Sequence, residues 1–248
     1  MLACDDDDDL QEREQLQTCD CRQRPADLWR RANLPAGRFD GLTLADLDWA
    51  RLEPPEVAAA VRDVAQHLEA WLAEGMGMML TGNVGSGKTH VALGLVKLAC
   101  GLGIEARFLT MAQLLGAIKA TYDRERAAPH RRRGPDAPGE AGLLDELADL
   151  PLLALDDLGT ENPTSWARDR LYTLVNRRYL GRRLTIVTTN LSLDALADRL
   201  GERTVSRLWG TSLVVNFRGA DYRERAKREA LARIRAQTSS LRVIRTAQ

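Results

Sequence analysis

Apolar residues fall into short unbroken runs and longer periodic stretches, and the two alternate from residue 76 onward. Met76 to Leu80, Ile104 to Leu109, Leu152 to Leu155, Leu184 to Asn190 and Ser212 to Asn216 have the length and composition of strands. Between them apolar positions recur at helical spacing from Thr89 to Cys100, from Met111 to Tyr122 and from about Thr164 to Leu180. In the last of these, Trp166, Leu171, Leu174, Val175 and Tyr179 are the positions expected to be buried. Shorter helical segments cover Leu143 to Leu150, Asp194 to Leu200 and Glu202 to Leu208, and a basic helix runs from Tyr222 to about Ala236. Strands separated by helices predict an α/β fold, a five-stranded parallel sheet with helices on both faces.

Ahead of this block the pattern is looser. Pro54 and Pro55 open a helix whose Val57, Val61, Val64, Leu68, Trp71 and Leu72 form one buried face before Gly75 ends it. Residues 25–48 mix apolar anchors, among them Leu28, Leu34, Phe39 and Leu47, with Pro35, Gly37 and Gly41, and read as an ordered loop across a larger body. Asp123 to Glu140 holds three prolines and two glycines and is expected to be irregular.

Composition narrows the class. Of 248 residues, 44% are apolar, enough for a sizeable core. Lysine plus arginine equal aspartate plus glutamate at 35 each, so net charge alone selects no partner. The ends differ, however: residues 1–20 carry eight acids against Arg13, and residues 221–248 carry eight basic residues against three acids. No stretch approaches the roughly 20 apolar residues that span a bilayer. The acidic start lacks the basic-then-apolar order of a secretory signal, so no membrane partner and a cytoplasmic location are expected. Cys4, Cys19, Cys21 and Cys100 lack the paired spacing of a zinc site and read as free thiols; residues 1–24 read as a disordered tail.

Chemistry concentrates after the first strand. Gly82-Asn83-Val84-Gly85-Ser86-Gly87-Lys88-Thr89 fits G-x-x-x-x-G-K-[ST] between a strand and a helix, the context in which backbone amides and a helix N-terminus wrap phosphates. Lys88 is expected to reach the β- and γ-phosphates, and the Thr89 hydroxyl to bind the Mg²⁺ between them. Leu152 to Asp157 delivers two acids to the carboxyl edge of the sheet. Asp156 is expected to hold the Mg²⁺ shell, and Asp157 to orient or deprotonate the attacking water. Asn190, ending the next strand, is expected beside Asp157, where its amide can fix water and γ-phosphate. Arg203 and Arg207 lie four apart on one face of a short helix.

Taken together, GNVGSGKTH, LLALDDLGTENPTSW, RRYLGRRLTIVTTN, LGERTVSRL and GADYR resemble the AAA+ ATPases of the DnaC/DnaI type, bacterial replicative helicase loaders within the wider IstB-like ATP-binding superfamily. The resemblance spans about residues 35–225. It implies that residues 82–90, including His90, bind ATP, that Lys88 and Thr89 are Walker A residues, and that Asp156 and Asp157 are Walker B residues. It further implies Asn190 as sensor 1, Arg207 as an arginine finger supported by Arg203, and Arg223 as a sensor 2 candidate. The implied partners are a hexameric replicative helicase, single-stranded DNA and further copies of the chain through the ATP site. The implied parts are a partner-binding extension (1–50), a connecting helix (51–75), an AAA+ core (76–220) and a short basic lid helix with its tail (221–248). Arg124, Arg126, Arg131, Arg132 and Arg133 lie where loaders face single-stranded DNA, although a charge run also suits a solvated loop. Aspartate rather than glutamate as the second Walker B acid suits slow, switch-like hydrolysis. A helper ATPase of insertion-sequence transposition is the alternative, with a P-loop kinase further off because kinases do not need Asn190, Arg203 or Arg207.

Overall fold

Met78 and Leu80 point to one side of a strand and Met79 to the other, and all three are fully buried. Such a strand belongs inside a sheet covered on both faces. In a computed structural model of the chain, residues 25–35, 37, 39, 42–127, 139–161 and 163–245 are described. Five strands, β1 (Gly77–Gly82), β2 (Ala106–Thr110), β3 (Leu152–Asp156), β4 (Leu184–Thr188) and β5 (Ser212–Phe217), form one sheet in the order β2-β3-β4-β1-β5. Every pairing is parallel, with Leu80 opposite Thr188 and Thr110 opposite Asp156.

Helices α1 (Pro25–Arg31), α2 (Pro55–Gln66), α3 (Leu68–Glu74), α4 (Lys88–Gly101), α5 (Met111–Ala127) and α6 (Glu140–Asp149) come before β3. After it come α7 (Ser165–Leu180), α8 (Leu193–Leu200), α9 (Glu202–Gly210) and α10 (Tyr222–Arg245). One core joins Met78, Leu80, Ala154 and Ile186 to Val91, Leu95 and Val96 of α4 and to Val61 and Val64 of α2. The other joins Met79, Leu153, Leu155 and Val187 to Leu114, Leu147, Leu171, Leu174 and Leu196. No helix among the described residues is long and apolar enough to cross a membrane.

Four expectations change. Residues 25–48 are not all loop: Pro25 starts a helix, and Leu28 and Ala32 enter the first core with Leu47 and Leu52. The described part of the N-terminal segment thus lies on the sheet's helical cover rather than apart from it. The helix after Pro55 breaks at His67 (φ −119°, ψ 28°), where Asp63 accepts the Trp71 indole N–H at 3.2 Å and lies 3.1 Å from the His67 ring nitrogen. Asp123 to Ala127 continue α5, because the first helix-breaking residue, Pro129, comes later. Tyr179 is exposed rather than buried.

Candidate nucleotide-binding site

The chain leaves β1 and must turn sharply before α4. Gly82 has φ 120° and lies so close to β5 that an added Cβ would sit 1.9 Å from the Phe217 carbonyl oxygen. Only glycine fits there. Gly85 (φ 73°) faces the start of α10: Tyr222 N–H donates to its carbonyl at 3.0 Å, and the Asp221 carboxylate occupies the place of its missing side chain. Asp221 in turn accepts the Arg223 N–H at 2.8 Å. The loop is therefore held from both sides, by β5 and by the foot of α10.

Lys88, buried, donates from Nζ to the Gly82 carbonyl at 2.9 Å and the Asn83 carbonyl at 2.5 Å. Burial pushes its pKa down, Asp157 and Asp156 pull it back up, and the Arg223 charge adds to the lowering. Thr89 Oγ1 donates to Asp156 Oδ1 at 3.0 Å across 67 residues of sequence. A hydroxyl and a carboxylate in contact are hard oxygen donors of the kind Mg²⁺ takes, and magnesium keeps several waters, so few protein ligands suffice. Among the described residues no group of three or more His, Cys, Asp or Glu could hold a metal on its own.

Asp156 is buried and also accepts the Thr188 hydroxyl at 2.6 Å. Burial raises its pKa, partly offset by the hydrogen bonds from Thr188 and Thr89. The sign follows: between 3.8 and the raised folded value the folded chain binds the proton more tightly, so stability grows as pH falls, and at neutral pH the full cost of a buried carboxylate remains. Asp156→Asn should therefore match or exceed the parent in nucleotide-free thermal stability while losing Mg²⁺-supported turnover. Differential scanning calorimetry beside a phosphate-release assay tests this, and a clear fall in melting temperature would sink it.

Asp157 is exposed, with φ 56° in the left-handed region that aspartate tolerates. Its N–H donates to Thr188 Oγ1 at 3.0 Å, so one hydroxyl, from a residue the sequence reading passed over, bridges both acids. Thr189 Oγ1 donates to the Leu158 carbonyl at 2.7 Å and accepts the Leu191 N–H at 3.1 Å. These bonds join the ends of β3 and β4 and leave Asn190 exposed just beyond. The signal was there: two threonines ending a strand supply hydroxyls as well as β-propensity.

His90 Nε2 lies 3.0 Å from the Thr43 carbonyl oxygen, and Lys97 donates to the Phe39 and Leu42 carbonyls at 2.8 and 2.7 Å. Leu52 rests 3.6 Å from the Cβ position of Gly87. The loop's helix is thereby strapped to the N-terminal segment, a role for His90 that spacing did not suggest. Arg207 Nε donates to Asn176 Oδ1 at 2.6 Å, and Arg203 is exposed one turn earlier. Arg124 and Arg126 fall in the last turns of α5, while Arg131, Arg132 and Arg133, like Cys4, Cys19 and Cys21, lie outside the described residues.

The family described as IstB-like ATP binding protein matches residues 8–230. The chain belongs to that family. The replicative helicase loader DnaC of Escherichia coli K12 is 27% identical over 167 residues, covering 67% of this chain and 64% of the relative. The chain thus spans just under two thirds of the length of that curated relative. A crystal structure of the DnaC helicase loader superposes with a TM-score of 0.62 at 26% identity, covering 74% of this chain and all of that one. AMPPCP-bound DnaA from Aquifex aeolicus shares the fold, with a TM-score of 0.53 at 18% identity over 65% of this chain and 45% of its own. The five-stranded parallel sheet is the P-loop core of the AAA+ ATPases, as these neighbours have it.

Proposed function

We propose that this family member binds ATP with Mg²⁺, hydrolyses it slowly in a self-associated state, and loads a replicative helicase onto single-stranded DNA. The observation that carries the ATPase reading is the 3.0 Å contact between Thr89 and Asp156 beside the buried Lys88. No strand or helix packing requires a threonine at the head of α4 to meet an acid at the end of β3; Mg²⁺-linked phosphate chemistry does. The loader reading is supported by the likeness to DnaC in sequence and structure.

Within this reading each residue has a task. The loop amides of residues 82–89 and the N-terminus of α4 bind phosphate oxygens, and Lys88 turns its ammonium from the loop carbonyls to the β- and γ-phosphates. Thr89 and Asp156 would hold Mg²⁺, which when bound would supply positive charge against the phosphates. Asp157 orients the attacking water and takes its proton, with its backbone fixed by Thr188. Asn190 binds that water or the γ-phosphate, Arg223 faces the nucleotide from α10, and Arg207 with Arg203 serves a neighbouring copy. The short side chain of Asp157 keeps turnover slow, as a switch requires.

The partner is tested by pull-down with the hexameric replicative helicase of the same organism, with ATP present. The truncation to compare removes residues 1–24 only, because Leu28, Ala32, Leu47 and Leu52 belong to the core. Capture by the intact chain and loss on truncation is the expected result and assigns the contact to that segment. Failure of the intact chain to capture helicase, with capture of an insertion-sequence transposase, would replace the loader by the transposition helper.

Single-stranded DNA contact is proposed for Arg124, Arg126, Arg131, Arg132 and Arg133. Replacing Arg131, Arg132 and Arg133 with alanine should weaken binding and reduce the slope of log affinity against log salt by roughly 2, since each released phosphate contact on a single strand contributes about 0.7. Fluorescence anisotropy of an oligonucleotide across a salt series reads this. An unchanged slope would return these arginines to solvent.

A further inference from the structure

Helix α7 handles two arginines in opposite ways. Its own Arg178 is almost wholly buried and donates to Thr185 Oγ1 and to the carbonyls of Leu147, Leu150 and Leu184, all within 2.9 Å. That is an arginine whose donors are spent on structure. Arg207, arriving from α9, is half-buried and gives Nε to one neutral acceptor, Asn176 Oδ1, at 2.6 Å. Its guanidinium carbon lies 5.0 Å from the centroid of Tyr172 and 5.7 Å from that of Tyr179. The only further contact of the guanidinium among the described residues is a long one, 3.4 Å from Nη1 to the Arg203 carbonyl. No acid pairs with it there.

Tyr172, Asn176 and Tyr179 stand at i, i+4 and i+7 of α7, hence on one face. Ring faces orient a guanidinium plane and attract its charge without neutralising it, and an amide oxygen fixes Nε without opposing the charge as a carboxylate would. The result is a cation held in place with its terminal nitrogens still able to bind an anion. Arg207 borders a surface cleft of about 320 Å³ lined also by Tyr179, Ser206, Trp209 and Gly210. Trp209, in its lining, is 57% exposed, apolar surface that suits a protein neighbour better than a free ion.

We propose that Tyr172, Asn176 and Tyr179 form a preassembled seat that positions Arg207 toward the nucleotide phosphates of a second copy of this chain. This deepens the reading of Arg207 as acting on a neighbour and rests on it. Fixing a long side chain before assembly removes an entropic cost from the step in which it is used. The three residues are positioning residues: they act through Arg207 and touch no substrate.

The test is turnover of ATP by the full chain as protein concentration is raised, with complementation between variants. Asn176→Leu and Tyr172→Leu should each lower the concentration-stimulated kcat about tenfold, the scale of one charge-assisted hydrogen bond, with ATP affinity unchanged. Tyr172→Phe, which keeps the ring face, should retain it, whereas Asn176→Asp, which sets a carboxylate against the guanidinium, should not. Adding a Lys88→Ala chain, which can donate its Arg207 but binds ATP on the order of 100-fold more weakly, should restore turnover to the Asn176→Leu chain at ATP concentrations that leave the donor site empty. A Lys88→Ala/Asn176→Leu donor should not. Equal rescue by both donors overturns the seat. Should Asn176→Leu not fold, the same pair of donors built on Tyr172→Leu with Tyr172→Phe as control gives the decision. Full stimulated turnover by Arg207→Ala would instead remove the neighbour-directed arginine itself, and with it the premise.

Discussion

In the Lys88→Ala chain, ATP affinity falls by on the order of 100-fold while the sheet remains folded, because two charge-assisted contacts to phosphate disappear together. The loop that presents those contacts does not depend on the lysine. Gly82 is fixed by β5 and Gly85 by Asp221 and Tyr222, so the cradle persists with its ammonium removed. Lys88 is in fact a burden on the nucleotide-free fold, since burial lowers its pKa below the ordinary 10.5. Between that lowered value and 10.5 the unfolded chain carries a proton that the folded chain has released, so stability rises with pH through the window. Lys88→Ala lacks this rise. Titration with a fluorescent ATP analogue and denaturation at two alkaline pH values check both halves; unchanged affinity would sink the loop assignment.

The lysine was legible because a phosphate loop is a local object. Eight consecutive residues carry its chemistry, and the strand before and helix after are set by apolar runs that need no distant partner. The acids Asp156 and Asp157 were legible for the same reason. Thr188 left only the mark of two threonines ending a strand, since its function arises when β4 pairs with β3 and sets one hydroxyl between two carboxylate-bearing residues. Helix α1 was hidden by its length of 7 residues, too short for a periodicity to repeat. The end of α5 was misplaced because breakers clustered at 129–139 were allowed to speak for residues 123–127, which contain none. Tyr179 sits at helical spacing with the core residues Leu171 and Val175 yet faces outward, to Arg207. His90 and Lys97 show a further limit. Their partners are backbone carbonyls 47 to 58 residues away, and a carbonyl leaves no mark in sequence.

Arg178 was the least legible residue, and replacing it should be the most damaging change outside the loop. Nothing in Arg177-Arg178-Tyr179-Leu180-Gly181-Arg182-Arg183 marks one arginine for the interior, yet Arg178 is 1% exposed and burial pushes its pKa down to about 9. What compensates a buried guanidinium without a carboxylate is geometry. The last carbonyls of α6 have no partner within their helix, and Arg178 reaches Leu147 and Leu150 from one side while its other nitrogens meet Leu184 and Thr185 at the start of β4. It joins the end of α6, the entry to β3 and the entry to β4 at a single point. Arg178→Ala removes the desolvation cost of the charge but strands several buried carbonyls, each costing about 1–3 kcal/mol, for a net loss of roughly 3 to 5 kcal/mol. For a chain of this size that lowers Tm by roughly 10 °C. Arg178→Lys should recover only part, because three donors on one nitrogen cannot span acceptors that a planar fork reaches on opposite sides. Urea denaturation of the three proteins measures it. A loss under about 1 kcal/mol for Arg178→Ala would mean that water replaces the guanidinium without cost, and the arginine would then be a passenger in the core.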